Sequence, residues 1–243
     1  MNNAAYITLA NEMALRRQLD VIANNVANAN TTGFKEGHLL FTQYLSELGS
    51  APSQKVAFPL DLGIHRDFQD GPLTTTGNPL DMAIKGDAFF VVNTPAGPRY
   101  TRAGSFALNT QSQIVDPNGD QLLDDRGNPI TVPPNQTQIT ISRDGSISTE
   151  AGPLAHIGLV RFDNPQLLHE ESAGLYAPGN AQQSPASGAT VIQGSIEGSN
   201  VQPIVEITRL MQMTHSYQDA QKLIDAENNR QKQLIQALTS QPQ

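Results

Sequence analysis

The sequence contains no cysteine and no tryptophan, and aromatic residues occupy only 5% of its 243 positions. Without cysteine the chain forms no disulfide bond, no thiolate metal site and no cysteine nucleophile. Charged residues are also scarce, at 16%, and the formal net charge of -8 offers no basic field for phosphate groups. We therefore expect neither nucleic acid nor an anionic membrane surface as a partner.

Long apolar runs are missing as well. No window approaches the roughly 18 apolar residues that span a bilayer, which predicts no direct membrane insertion. The N-terminal residues MNNAAYITLANEMALRRQLD lack the basic start, apolar stretch and small-residue cleavage site of a secretory signal. The sequence therefore predicts that the chain has no Sec signal peptide.

Motifs for catalysis are absent from the sequence too. No segment matches a P-loop, a glycine-rich dinucleotide turn, a nucleophile elbow or a zinc-binding His-Glu-x-x-His helix. The five histidines are scattered, and we interpret them as unrelated imidazoles rather than a metal cluster. They are His38, His65, His156, His169 and His215. We predict a protein that is not an enzyme and that has no catalytic residue, cofactor or metal.

One segment begins like a calcium-binding loop. Asp116, Asn118 and Asp120 occupy the first, third and fifth positions of such a loop. The sixth position, however, is Gln121 instead of glycine, and the twelfth is Gly127 instead of glutamate. We interpret the segment as a turn between strands, with a calcium-stabilised adhesin or phage-tail-like module as an alternative.

Glycine and proline are plentiful, with 19 and 16 residues, and they punctuate the middle of the chain. Short β-branched or alternating runs between them predict strands at 88–92, 99–101, 138–142 and 157–162. Turn sequences follow some of these runs, at 116–120, 125–128 and 143–146. The middle is therefore predicted to be a β body of hairpins, framed by linkers at about 49–60 and 177–195.

The first segment of the chain, from Tyr6 to Asn28, contains neither glycine nor proline. Its apolar residues recur at spacings of four and three, as in a helix that carries a coiled-coil seam. These seam positions are Leu15, Leu19, Ile22, Val26 and Ala29. The residues from Asn28 to Gly33 favour turns, so the helix is predicted to end there.

The last segment, from Asn200 to Ser240, carries its single proline at position 203, in the first helical turn. Its seam again has spacings of three and four: Leu210, Met213, Tyr217, Ala220, Ile224, Glu227, Gln231, Leu234 and Leu238. A lone helix of this length pays a backbone entropy cost of about 1–2 kcal/mol per residue. We therefore expect both terminal helices to be marginal in a monomer and to be stabilised by neighbouring subunits.

Four stretches of the chain resemble the signatures of flagellar axial proteins, the family of rod and hook subunits. They are residues 23–35, 77–90, 100–106 and 197–201. The first reads ANNVANANTTGFK, which is a highly specific pattern. Together the stretches cover both ends and the middle of the chain, so the resemblance extends over nearly its whole length.

The resemblance implies an α+β fold, in which N- and C-terminal α-helices form a coiled-coil-like inner domain. A central all-β, hairpin-rich domain lies outside it. The implied divisions are 1–36, an N-terminal helix with the axial-protein motif; 37–74, a linker and extended segment; 75–195, the β-rich domain; and 196–243, a C-terminal helix that pairs with the N-terminal one.

The function implied by the resemblance is that of a structural subunit of the bacterial flagellar basal-body rod. Such subunits assemble into a helical drive shaft that transmits motor torque to hook and filament. The implied partners are other copies of the chain, other rod proteins and the flagellar type III export apparatus, with no nucleic acid. The implied location is the rod across the periplasm, after export without a cleaved signal peptide.

Two segments favour one branch of the family. Residues 14–20 and 157–165 are more similar to FlgF-type proximal rod proteins than to FlgG-type distal ones. The FlgG type stays an alternative, and the hook protein is usually much larger than this chain. A non-catalytic β module that binds a ligand is a further alternative, although the sequence offers no residues for its pocket.

The candidate assembly residues are the seam positions together with the polar motif that follows the first helix. The amides of Asn24, Asn25 and Asn28 either satisfy backbone groups at the helix end or reach neighbouring subunits, and both roles stay open. Gly33 is a turn residue and Phe34 an apolar anchor after it. The full set is Leu15, Leu19, Ile22, Asn24, Asn25, Val26, Asn28, Gly33, Phe34, Leu210, Met213, Tyr217, Ile224, Leu234 and Leu238.

Overall fold

The computed structural model begins and ends in long helices that flank a strand-rich middle. It describes residues 2–47, 55–134, 136, 138–172, 174–186 and 188–239. The helices are α1 (Asn2–Ala27) and α2 (Pro203–Thr239). The predicted α+β class, with a helix at each end of a strand-rich region, is confirmed at this level.

The strands are numbered in chain order, and a short 3-10 helix at Pro165–Leu167 interrupts them. They are β1 (Gly37–Glu47), β2 (Lys55–Arg66), β3 (Leu73–Thr75), β4 (Met82–Lys85), β5 (Phe89–Thr94), β6 (Gly97–Thr101), β7 (Ala107–Leu108), β8 (Ile114–Val115), β9 (Gln121–Leu122), β10 (Ile139–Ile141), β11 (Ser146–Thr149), β12 (Gly152–His156), β13 (Leu159–Phe162), β14 (His169–Ser172), β15 (Leu175–Ala177), β16 (Gln183–Pro185), β17 (Thr190–Gln193) and β18 (Ser195–Glu197).

The chain forms two compact units that interleave along the sequence. The first, called the helical unit, contains the residues up to Ala27, Gly37–His65, and the residues from Gln202 onward. The second, called the β unit, contains Asn28–Glu36 and Arg66–Val201. The segment 28–36 thus groups with the strands, whereas the predicted division at 36 placed it with the first helix.

In the helical unit, α1 packs against α2 and also contacts β1, which pairs with β2 in a two-stranded sheet. Continuous helix formation in α1 agrees with its lack of glycine and proline. On α1, Ile22 is buried and Leu19 half-buried, so the predicted stripe faces inward over its last turns. Of the linker predicted at 49–60, positions 49–54 lie outside the described residues, and 55–60 belong to β2.

The β unit is built around β5. This strand pairs in antiparallel fashion with β6, β9 and β13, within a sheet whose main path runs β14-β15-β6-β5-β9-β8-β7. One face of β5 contributes Phe90 and Val92 to a buried, largely aliphatic core, which we call the aliphatic core. Its other face contributes Phe89 to an aromatic cluster with Tyr100, Phe162 and Tyr176. Because successive side chains of a strand point to opposite faces, β5 contributes to two separate cores.

The second predicted linker, at 177–195, was wrong. The segment contains β16 and β17 and the start of β18, which pair with β13, β4 and β3 respectively. Its Gly, Ser, Pro and Gln residues are typical of loops, but antiparallel pairing with distant strands supplies the order. Val191 is buried at 1% exposure, opposite Ile84 of β4.

Candidate functional site

The side chain of Asn25, near the C-terminal end of α1, holds three parts of the helical unit together. Its Oδ1 accepts a hydrogen bond from the Gly37 backbone N at 3.0 Å, and its Nδ2 donates to the Gly37 carbonyl oxygen at 2.9 Å. The same Nδ2 donates to Glu206 Oε2 at 2.9 Å. Asn25 is only 2% exposed, so these bonds form away from water. We call this arrangement the amide clasp; it comprises Asn25, Gly37 and Glu206.

Glu206 is a buried carboxylate, 1% exposed, in the first turn of α2. Its second oxygen, Oε1, accepts from Arg209 Nη1 at 2.6 Å, so both oxygens have partners. Its position at a helix N-terminus places negative charge near the positive end of the helix dipole. The amide clasp thus joins the end of α1, the start of β1 and the start of α2.

A second polar arrangement lies within the β unit, where three segments meet. We call it the three-segment junction; its segments are 33–36, 66–71 and 197–200. Backbone N of Gly33 donates to the Glu197 carbonyl at 2.8 Å, and Asp67 N donates to the Glu36 carbonyl at 2.9 Å. Asn200 joins all three segments: its Oδ1 accepts from Glu36 N at 2.7 Å, and its Nδ2 donates to the Asp67 carbonyl at 2.8 Å.

A charge cluster, made of Lys35, Asp70, Arg102 and Glu197, lies at this junction; Lys35, Arg102 and Glu197 are buried, whereas the Asp70 side chain is 43% exposed. Lys35 Nζ donates to Glu197 Oε1 at 2.6 Å, and both side chains are fully buried. Lys35 also donates to the Gln69 carbonyl at 2.5 Å, and Glu197 Oε1 accepts from Gly71 N at 2.9 Å. The Lys35–Glu197 pair therefore reaches all three segments of the junction.

Arg102 completes the cluster from the loop that follows β6. Its Nη1 donates to the carbonyl oxygens of Gly86 and Ala88, both at 2.7 Å, and its Nη2 pairs with Asp70. Its Nε lies 3.4 Å from Glu197 Oε2. The cluster holds two cations and two anions, so its formal charge is balanced.

Burial dominates the electrostatics of Lys35. Removal from water disfavours the ammonium and lowers the pKa of Lys35, while the Glu197 carboxylate acts in the opposite direction. Breaking a buried pair leaves an uncompensated charge, which is strongly destabilising. Removing either Lys35 or Glu197 would therefore leave the other as a buried, uncompensated charge.

Gly33, within the signature stretch 23–35, has a backbone conformation that residues other than glycine rarely adopt. Its φ is +69°, and a Cβ at this position would lie 2.4 Å from Ala103 N. Phe34 and Lys35, the next two residues, are both fully buried. The last three residues of the signature stretch 23–35 are therefore buried inside the β unit.

The structure places the other predicted assembly residues in several environments. Asn24 is exposed, and the Asn28 Oδ1 accepts from Thr31 Oγ1 at 3.1 Å, a local turn contact. Half-buried positions on the helices are Leu15, Leu19, Val26, Leu210, Met213, Tyr217 and Ile224. The side chains of Leu234 and Leu238 lie outside the described residues. A role for any of these residues in assembly stays a prediction.

An exposed apolar stripe on α2 was not predicted from the sequence. It consists of Ile204, Ile207 and Met211, which are 82%, 40% and 61% exposed. Their spacing of three and four places them on one helix face, away from the half-buried seam. The spacing of these three residues is visible in the sequence, but the seam that begins at Leu210 has more apolar positions at spacings of three and four.

The residues Asp70, Arg102, Glu197 and Glu206 were also not predicted as site residues. Arg102 and Glu197 lie inside signature stretches, so their presence there was the available signal. Sequence alone did not show that Arg102 and Glu197 are buried at one junction, or that Glu206 is buried in the first turn of α2.

The β unit also has a cleft of about 700 Å³, with Val91, Leu123 and Ile157 in its lining. Three aspartates contribute to the lining, Asp124, Asp125 and Asp144. Asp144 accepts hydrogen bonds from Ser146, which lower its pKa, and Asp124 accepts from Arg126 N and Asn128 N. Two of these carboxylates thus stabilise local turns.

Two other features are absent from the part of the chain that the structure describes. There, no group of three or more His, Asp or Glu residues is placed to hold a metal ion. Nor is any described helix both long and apolar enough to cross a membrane.

The sequence matches three domain families, one in each part of the chain. Residues 12–35 match "Flagella basal body rod protein", and residues 83–149 match "Flagellar hook protein FlgE/F/G D1 domain". Residues 192–237 match "Flagellar basal body rod FlgEFG protein C-terminal". The first match ends within junction segment 33–36, and the third match contains junction segment 197–200.

Similar proteins extend over nearly the full chain. The flagellar basal-body rod protein FlgF of Caulobacter vibrioides is 41% identical over 231 residues, 93% of each chain. FlgF of Mesorhizobium japonicum is 33% identical over 242 residues, 99% of each chain. The rod protein FlgG of Caulobacter vibrioides is 33% identical over 264 residues, covering 96% of this chain and 97% of the relative.

Proposed function

The chain belongs to the flagellar basal-body rod protein family and is a structural subunit of the rod, and we propose that it is a proximal-rod subunit of the FlgF type. The observation that carries the subtype is the identity within one organism. Against Caulobacter vibrioides, the chain is 41% identical to FlgF and 33% identical to FlgG. The FlgG type stays the alternative.

The proposed assembly surface is the exposed apolar stripe of α2 together with the coiled-coil-like seam. Ile204, Ile207 and Met211 are exposed although α2 already packs against α1. Exposed apolar residues on one helix face are characteristic of surfaces that other chains cover. Neighbouring copies and other rod proteins would cover this stripe, so that the terminal helices form the inner part of a helical shaft that transmits torque.

The proposal includes no catalytic step and no cofactor, since the named relatives are structural rod proteins. It also includes export by the flagellar type III apparatus without a cleaved signal peptide, and a final position where the rod crosses the periplasm. The rival interpretation, a ligand-binding β module, receives little support from the cleft, because two of its three aspartates stabilise local turns.

The test places a charge on the proposed surface without disturbing the helix. Met211→Glu introduces a carboxylate at a side chain that is 61% exposed, and glutamate is a good helix former. We expect a soluble, folded chain that is absent from purified basal bodies and leaves a deletion strain non-motile. Recovery of the subunit in basal bodies by immunoblotting and swimming in soft agar measure the outcome.

The matched control is Gln212→Glu, which adds the same charge at the next position, where the side chain is also exposed. This variant should assemble and support swimming. Normal swimming and normal basal-body recovery with Met211→Glu would rule out the stripe as an assembly surface.

A further inference from the structure

The chain passes between its two units four times, after Ala27, Glu36, His65 and Val201. Three of these crossings adjoin the three-segment junction of the β unit. Segment 33–36 leads into β1, segment 66–71 follows β2, and segment 197–200 leads into α2. Whatever fixes the junction therefore fixes three points at which the chain leaves or enters the β unit.

The Lys35–Glu197 pair is the contact that reaches across all three segments. Lys35, on the first segment, bonds to the Gln69 carbonyl on the second and to Glu197 on the third. Glu197 in turn accepts from Gly71 N on the second segment. Arg102 joins this pair to the turn between β4 and β5, through the carbonyl oxygens of Gly86 and Ala88.

Stability alone does not require charges at this position. Replacing a buried ion pair by apolar residues of similar volume is often neutral or stabilising. Hydrogen bonds differ from apolar contacts because they have direction, so each bond accepts one alignment of its two segments. In the junction, a shift of one segment by a single residue would move the Gln69 carbonyl or the Gly71 N–H out of alignment with its partner.

We propose that the charge cluster is a positioning device, which holds the three junction segments of the β unit in one fixed arrangement. Lys35 and Glu197 are its positioning residues, and Arg102 and Asp70 orient them. The device acts within the β unit of a single chain. It therefore stands or falls independently of the assignment to the proximal rod.

The experiment compares amide hydrogen exchange and thermal unfolding in the full chain for four variants. Lys35→Met and Glu197→Gln each break the pair, and Lys35→Met/Glu197→Met replaces it with apolar side chains. Ile147→Ala is the control, because Ile147 is fully buried in the aliphatic core and has no part in the junction. Exchange is followed at Gly33, Glu36 and Asp67, whose backbone N–H groups donate across the junction.

For the double variant we expect a melting temperature close to that of the original chain, together with about tenfold faster exchange at the three junction amides. The single variants should have lower melting temperatures than the original chain. Their three junction amides should also exchange faster than the same amides do in Ile147→Ala. The proposal is overturned if the double variant keeps the original exchange at these amides. It is also overturned if junction exchange in the folded single variants rises only as in Ile147→Ala. If a single variant fails to fold, the double variant decides.

Discussion

The two units of this chain differ in how completely they bury their apolar side chains. The β unit buries most of them within itself, in an aliphatic core around Phe90 and Val92 and an aromatic cluster around Phe89 and Tyr176, while Leu73, Leu108 and Leu167 are 42–47% exposed. The helical unit leaves several large apolar residues of α2 exposed, among them Ile204 at 82% and Leu223 at 62%. The difference indicates that the β unit is stabilised by its own core, whereas the helices have apolar surface left for other chains.

The buried polar contacts of the two units also differ. Each unit has a buried polar arrangement, but the one in the β unit is centred on an ion pair, Lys35 and Glu197, whose side chains are both 0% exposed. The one in the helical unit depends on a single amide, Asn25, and on a carboxylate whose partner Arg209 is half-exposed. We therefore expect substitutions in the β unit to have the larger effects on stability.

The largest effect is expected for Gly33→Ala in the β unit. Its Cβ would lie 2.4 Å from both Ala103 N and the Arg102 carbonyl carbon, and both are backbone atoms that cannot move away alone. We expect a loss of about 3–5 kcal/mol in the free energy of unfolding, since strain at a positive φ and overpacking act together. Urea unfolding followed by far-ultraviolet circular dichroism measures the loss.

The control for this prediction is Gly77→Ala. Gly77 has a similar φ of +75°, but nothing lies within 4 Å of its added Cβ. The conformational cost should then appear alone, at about 1 kcal/mol. Equal losses for the two variants would show that close packing at Gly33 contributes nothing.

An intermediate effect is expected for Asn25→Asp in the helical unit. The new carboxylate would replace the Nδ2 donor beside Glu206 Oε2, now 2.9 Å away, and would also lose the bond to the Gly37 carbonyl. We expect a loss of about 2–3 kcal/mol near pH 7. The loss should shrink as pH falls, because protonation of the new carboxyl group removes the charge repulsion and restores a hydrogen-bond donor.

Asn11→Asp is the control for the amide clasp, since Asn11 is an exposed residue of the same helix. It should change stability by less than about 0.5 kcal/mol. Thermal melting followed at 222 nm, at pH 7 and at pH 4.5, separates the two variants. A loss at Asn25→Asp that is the same at both pH values would contradict a charge effect.

The elements that the sequence predicts well are those set by local pattern. Both terminal helices follow from apolar spacing and from their lack of interior glycine, and α2 begins at Pro203, in the first turn as predicted. Strands β5, β6 and β10 overlap the predicted runs, because these runs are rich in β-branched and aromatic residues and are separated by turn sequences. Turn residues such as Gly145, with φ +90°, were readable from the Asp-Gly pair.

The contacts that the sequence did not predict are those between distant residues. Lys35 and Glu197 are 162 positions apart, and Asn25 and Glu206 are 181 apart. Nothing local distinguishes these carboxylates from the exposed ones, because burial depends on which segments the fold brings together. The same reason explains β16, β17 and β18, whose order comes from pairing with strands earlier in the chain.

The smallest effect is expected at Tyr176, and it has the opposite sign. Tyr176 is fully buried in the aromatic cluster, and among the described residues its hydroxyl has no hydrogen-bond partner. Tyr176→Phe removes this unsatisfied group and keeps the ring contacts with Phe68 and Phe89, so unfolding should cost about 1 kcal/mol more.

The pH dependence of the Tyr176→Phe effect gives the sharper test. Burial raises the pKa of Tyr176 above its ordinary value of 10.0, so the hydroxyl ionises more easily in the unfolded chain than in the folded one. Stability should therefore be lost as pH rises above 10, and the gain from Tyr176→Phe should grow over the same range. Urea unfolding at pH 8 and at pH 10.5 measures this difference. A constant gain would mean that the hydroxyl is hydrated in the folded chain, and the aromatic cluster would then be less tightly closed than the β unit's other core.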